Sequence, residues 1–170
     1  IRDFRIYQKQ DAGSERLIGC AKTIWVVLDL TSREIANIFD LPMFEGSVDG
    51  EVLTMLRAPR LQPICLDNLE NDSHILQSGE ILHEIQYSDV DYNRHCNSCK
   101  YLEWMVNACQ LVDNQRPFRL DINYVKELYQ NDKMWTRYVR TQESTQYQQV
   151  DENGTTCCSA RLTVIDNLSC

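Results

Sequence analysis

The sequence predicts an α+β fold in which one helix is followed by antiparallel strands. Three observations predict it. Residues 96–112 place apolar side chains nearly all round a helical wheel, and Lys100, Glu103, Asn107, Gln110 and Asn114 form a narrow polar stripe at spacings of three and four. Alternating runs follow, FRLDINYVKEL (118–128) and the long stretch MWTRYVRTQESTQYQQVDENGTTCCSARLTVIDNL (134–168). Finally, Asn153-Gly154 sits between strand-like runs, a strong hairpin signal.

In chain order, FRIYQKQDAGSERLIGCAKTIWVVLDL (4–30) reads as a strand, a polar turn around Asp11-Ala12-Gly13, and a second strand ending at Asp29. CAKTIWVVLD resembles CSARLTVID near the C-terminus, so the chain reads as two related units. The first holds only its closing hairpin. A lone hairpin is marginal in water and leaves a bare edge. The expectation is therefore a longer natural N-terminus, or docking of the hairpin on the second unit or another chain. Between the units, residues 39–74 carry three of the four prolines and read as a linker with a short helix near Gly50–Leu56. The second unit runs strand, loop, helix and three strands. A helix apolar nearly all round is buried on several sides, and the strands behind it are long enough to curl around it. That is a hot-dog arrangement, and a generic α+β sandwich fits the same pattern.

The segment SDVDYNRHCNSC (88–99) spaces Asp89, Asp91, Asn93 and His95 two apart, directly ahead of the helix. In an extended segment, alternation places Asp91, Asn93 and His95 on one side. They would reach a helix N-terminus, where free backbone N–H groups and the dipole hold a developing oxyanion. The simpler reading makes Asp91 and Asn93 turn formers and Asn97 a helix cap.

The formal net charge of −8 argues against nucleic acid, whose phosphates need clustered Lys and Arg. No apolar run is long enough to span a membrane, and no signal peptide is visible. The eight cysteines fall mostly inside apolar patterns and read as reduced, buried, small hydrophobes of an intracellular protein. Trp25 and Trp135 read as core, and His74 and His83 as surface or strand histidines.

DYNRHCNSCKYLEWMVNA resembles the Asp-x-Asn-x-His-x-Asn-x-x-x-Tyr-x-x-Trp signature of acyl-acyl carrier protein thioesterases, with Asp91, Asn93, His95, Asn97, Tyr101 and Trp104 in register. INYVKELYQNDKM resembles that family's Tyr-x-x-Glu segment and places Glu127 on its catalytic glutamate. TIWVVLDLTSR (23–33) is similar to the segment closing the family's first hot-dog domain. The resemblance implies a double hot-dog with an incomplete N-terminal unit: residues 1–41 as the end of a first domain, 42–78 as a linker, and 79–170 as a second domain with the catalytic motif. It implies release of free fatty acid in fatty acid biosynthesis, with acyl carrier protein bearing the acyl chain as partner. It needs no cofactor or metal, allows a homodimer, and implies the cytoplasm of a bacterium ahead of a plastid stroma. Plant members carry a cysteine after the glutamate where this chain has Leu128, so a thiol nucleophile there is excluded and the bacterial branch is favoured.

The resemblance implies Asp91, Asn93, His95 and Glu127 as catalytic and Asn97 as the residue of the oxyanion-binding helix end. Glu127 or Asp91 would activate water, His95 would hydrogen-bond the reacting groups, and Asn93 would fix the loop or the water. By residue spacing alone, Glu127 is a strand carboxylate matched in parity with Arg119, Asp121 and Asn123. Two alternatives stand beside this reading. One is a non-catalytic acyl-binding module on the same fold. The other is redox or zinc chemistry at Cys96-Asn97-Ser98-Cys99, with His95 and Cys157 or Cys158 as further ligands. Arg57, Arg60, Lys126, Lys133, Arg137 and Arg140 could form a patch for an acidic carrier.

Overall fold

The computed structural model describes residues 1–29, 31–32, 34–37, 40, 58–67, 69, 72–109 and 116–165. The short helix expected near Gly50–Leu56 and the helix positions 110–112 and 114 lie outside them. The chain divides into two compact units, one up to residue 57 with the last three residues, the other of residues 58–167.

In the N-terminal unit, β1 (Arg2–Lys9) and β2 (Glu15–Thr23) form a two-stranded antiparallel sheet turning at Asp11–Gly13. Gly13 closes the turn at φ 80°, a left-handed conformation that glycine adopts without strain. The second strand stops at Thr23 instead of running to Asp29. Trp25 Nε1 turns back to donate to Thr23 Oγ1 at 2.9 Å, and the chain resumes as a two-residue bridge of β3 (Val27–Leu28) with β4 (Ile35–Ala36). Asp29 stands after β3 and accepts the Thr31 and Ser32 N–H groups at 2.8 Å, which curls the chain. Trp25, expected in a core, is 66% exposed with the Arg2 guanidinium over its ring.

Among the described residues the larger unit holds one α-helix, α1 (Ser98–Ala108), and strands β5 (Gln77–Glu84), β6 (Phe118–Tyr124), β7 (Lys133–Arg140), β8 (Ser144–Asp151) and β9 (Thr156–Val164). They form one antiparallel sheet in the order β5-β7-β8-β9-β6. The sheet curves around α1, the hot-dog arrangement. Among the described residues four strands follow the helix, where three were expected. The long run from 134 breaks at Thr141–Ser144, where Thr141 Oγ1 accepts the Glu143 and Ser144 N–H groups at 3.3 and 3.2 Å. A hydroxyl makes this turn without glycine or proline, so the punctuation was invisible.

Tyr101, Met105 and Ala108, at helical spacing, bury one face of α1 against Met134, Tyr138, Tyr147, Cys158, Ala160 and Leu162. Each fully buried large apolar side chain is worth about 1.5–3 kcal/mol. Burial is one-faced: Leu102 and Trp104 are half-buried flanks, while Cys99 and Val106 are exposed. β8 is buried on both faces despite its polar sequence STQYQQVD. On the helix side, Gln149 Nε2 donates to Tyr101 O at 3.0 Å and to Thr136 Oγ1 at 3.1 Å. On the other side residues 59–64 lie across the sheet: Gln148 Oε1 accepts the Ile64 N–H, Gln146 reaches Gln62 O, and Asn123 reaches Pro59 O. Hydrogen bonds take up both ends of Gln148 and the amide nitrogen of Gln149, while Gln149 Oε1 is buried without a hydrogen-bond partner among the described residues.

Candidate active site

The site begins where the chain leaves β5. A helical turn, Tyr87–Asp89, buries Asp89, whose carboxylate accepts the Gln86 N–H at 2.9 Å. Asp89 O then accepts the Asn97 N–H at 2.8 Å, and Val90 bridges Cys96, which closes residues 90–96 into a necked loop. Inside it the Asp91 N–H donates to His95 O at 2.8 Å, and Asp91 Oδ1 accepts the N–H groups of Asn93 and His95 at 2.8 and 3.2 Å. Arg94 takes φ 66° to complete the curl. The expectation of an extended segment with Asp91, Asn93 and His95 on one side is thus corrected. A short carboxylate wins the local competition for backbone donors and makes a tight turn. Asp91 and Asn93 are exposed on that turn, and His95 emerges at its end, half-buried.

Glu127 arrives from the other side of the helix start. β6 ends at Tyr124, so Glu127 is a loop carboxylate and its expected strand parity with Asp121 does not apply. The strand is broken off because Val125 and Lys126 both donate their N–H groups to Cys157 O, at 2.8 and 3.0 Å. Leu128 then plugs the core, its carbonyl accepts the Cys96 N–H at 2.7 Å, and Tyr129 bridges His95. Two loops 32 positions apart in sequence are thereby stitched side by side, and Glu127 Oε1 stands 3.6 Å from His95 Nδ1. Both side chains remain partly exposed, at 31% for His95 and 49% for Glu127, so the contact adds at most about 1 kcal/mol to stability.

Tyr129 is the residue that sequence reasoning passed over. Its hydroxyl donates to Glu127 Oε2 at 3.2 Å, and its ring meets the His95 imidazole edge-on, centroids 5.2 Å apart. Its only trace in the sequence is its position two residues past Glu127.

Asn97 caps α1 in the expected way, its side-chain oxygen accepting the Cys99 N–H at 2.9 Å. Tyr124 OH donates to Ser98 O at 3.0 Å and ties the end of β6 to the same helix start. His95, Glu127 and the helix N-terminus therefore share one neighbourhood. Burial pushes the Cys96 thiol up to about 12, whereas a redox-active Cys-x-x-Cys needs a thiol lowered toward neutrality. Burial also pushes up the Cys157 and Cys158 thiols, and all three pack as small apolar groups. Six described cysteines are free, in line with the expectation of mostly reduced thiols, although Cys65 and Cys99 are exposed; Cys20 is disulfide-bonded. Of the expected basic patch, Lys126 is paired with Asp151 and Arg137 with Glu80, and Arg57 lies outside the described residues. Concavities lie beside Ser73, His74 and Thr141–Glu143 and beside Gln8–Asp11, and neither is lined by His95 or Glu127.

A family model described as the acyl-ACP thioesterase C-terminal domain matches residues 73–164, more than half of the chain. Among solved structures, an acyl-ACP thioesterase from Bacteroides thetaiotaomicron VPI-5482 aligns with a TM-score of 0.65 at 18% identity, over 96% of this chain and 62% of that one. A 12:0-ACP thioesterase from Umbellularia californica aligns at 0.63 and 15% identity, over 97% of this chain and 62% of that one. The chain thus spans 62% of the length of each, and at these identities the likeness is one of fold. No curated protein matches the sequence.

Proposed function

The chain belongs to the acyl-ACP thioesterase family, and from that premise we propose that the site at the start of α1 hydrolyses the thioester of a fatty acyl chain carried on acyl carrier protein. The observation that carries the reading is the convergence of Glu127 and His95, 3.6 Å apart, at the capped N-terminus of the helix that the sheet wraps.

Glu127 is the better base of the two carboxylates. Asp91 Oδ1 is taken up by two backbone N–H groups of its own loop, whereas Glu127 Oε1 faces the imidazole from an accessible loop. Glu127 takes a proton from water as the water oxygen attacks the acyl carbon. Negative charge builds on the acyl oxygen, where the helix dipole favours it and the His95 imidazole can donate to it. The intermediate collapses, the C–S bond breaks, and the leaving thiolate takes the proton from Glu127. Free fatty acid and the carrier thiol result. Asp91 and Asn93 hold the loop that aims His95, and Asn97 fixes the end of the helix. The buried thiols Cys96, Cys109, Cys157 and Cys158 support a reducing compartment such as a bacterial cytoplasm, against which the Cys20 disulfide is the contrary observation. Among the described residues no helix is long and apolar enough to cross a membrane.

The test is hydrolysis of acyl carrier protein thioesters by the full chain. Glu127→Ala and His95→Ala should each lower kcat by ~10²–10⁴-fold, the usual worth of positioned proton transfer, with the melting temperature nearly unchanged. Near-full activity in Asp91→Ala, His95→Ala and Glu127→Ala alike would refute the assignment. Tight acyl binding with no turnover would favour the acyl-binding module.

A further inference from the structure

We propose that Tyr129 is a positioning residue that steers the Glu127 carboxylate toward His95; the inference rests on the hydrolytic reading of the same site. Glu127 is half exposed on a loop, and an unanchored glutamate spreads over many rotamers that an anchor narrows. Its two oxygens are divided. Oε2 accepts the Tyr129 hydroxyl at 3.2 Å, which leaves Oε1 facing His95 Nδ1 at 3.6 Å.

Tyr129 can act as an anchor because its own backbone is held. Its N–H donates to Asp132 Oδ2 at 2.9 Å, its carbonyl accepts the Asp132 N–H at 3.2 Å, and it bridges His95 across the two loops. Asn131 at φ 71° completes this turn. One aromatic side chain therefore touches both partners, the carboxylate through its hydroxyl and the imidazole through its ring edge. The loop is also pinned without the hydroxyl, by Leu128 in the core and by the Val125 and Lys126 bonds to Cys157 O. Removing the oxygen alone should leave the fold intact.

Tyr129→Phe keeps the ring and the turn. It should lower kcat about 3- to 10-fold, the worth of one hydrogen bond, with KM changed less than twofold and the melting temperature unchanged. In the Glu127→Gln background the same change should add almost nothing, because its target is gone. An unchanged kcat, or full additivity with Glu127→Gln, overturns the proposal. If the wild-type chain cleaves no thioester, the hydrolytic reading fails separately. The positioning claim is then read in ¹³C-glutamate-labelled protein: the Glu127 carboxyl resonance should move in Tyr129→Phe and stay put in Tyr87→Phe. A Glu127 resonance indifferent to Tyr129→Phe overturns it on that arm.

Discussion

The β1–β2 and β8–β9 hairpins share an alternating pattern and a left-handed glycine in the turn, Gly13 at φ 80° and Gly154 at φ 75°. Their surroundings differ. β9 has four consecutive buried residues, Cys157–Ala160, because it lies inside a five-stranded sheet with α1 on one face and the 59–64 segment over the other. β1–β2 is a two-stranded sheet by itself, and its Phe4, Ile6, Tyr7 and Ile18 are all exposed. Alternation therefore specifies a strand with two distinguishable faces. It does not specify that either face is covered.

Tyrosine truncation gives the widest predicted contrast. Tyr147 on β8 is 1% exposed and Tyr7 on β1 is 50% exposed. Tyr147→Ala should cost about 3–5 kcal/mol, as aromatic truncations in cores do. Tyr7→Ala should stay within about 0.5 kcal/mol. Urea midpoints followed by tryptophan fluorescence measure both, and similar losses would erase the contrast.

The glycine pair gives a smaller effect with a different readout. Gly13→Ala and Gly154→Ala place a Cβ in open space but at positive φ, so each strains its turn by about 1 kcal/mol. Gly154→Ala should lower the global midpoint. Gly13→Ala should speed amide exchange in β1–β2 and leave β8–β9 protection unchanged; loss of protection in both would couple the hairpins.

The smallest effect concerns pH. The Asp151 carboxylate at the end of β8 accepts the Lys126 ammonium, then the N–H groups of Asn153 and Thr155, and these hold it below its ordinary value of 3.8. A lowered folded-state value gives stability that is fully present above the unfolded value and is lost as pH falls through the folded one. Wild type should thus exceed Asp151→Asn at neutral pH, and the gap should close as pH drops below 3.8. A gap independent of pH would remove the charge from the account of this turn.

Much of the larger unit was legible because its signals are local. Asn97 announces the cap with one side chain, Asn153-Gly154 announces its turn, and the helix face repeats at the helical period. The Thr141–Ser144 turn was hidden because a threonine hydroxyl does what glycine usually does. The 91–95 loop fits both an extended segment and a turn by its residues, and the turn-former reading of Asp91 holds because its carboxylate binds its own backbone. Gln148 and Gln149 of β8 are buried beside partners that no local pattern announces, a helix carbonyl and a segment more than 80 positions away.

By itself, the sequence determined which residues could do chemistry near the helix and where that helix starts, because capping and periodicity act within a few residues. The family register placed Glu127 beside the motif in function without placing it in space. Only the tertiary structure decided that His95, Glu127 and Tyr129 meet. That meeting depends on Cys157 O drawing the chain off β6 and on Leu128 O clasping Cys96, contacts between segments far apart in the chain. Such bonds leave no periodic trace, because each is a single pairing made when the sheet closes around the helix.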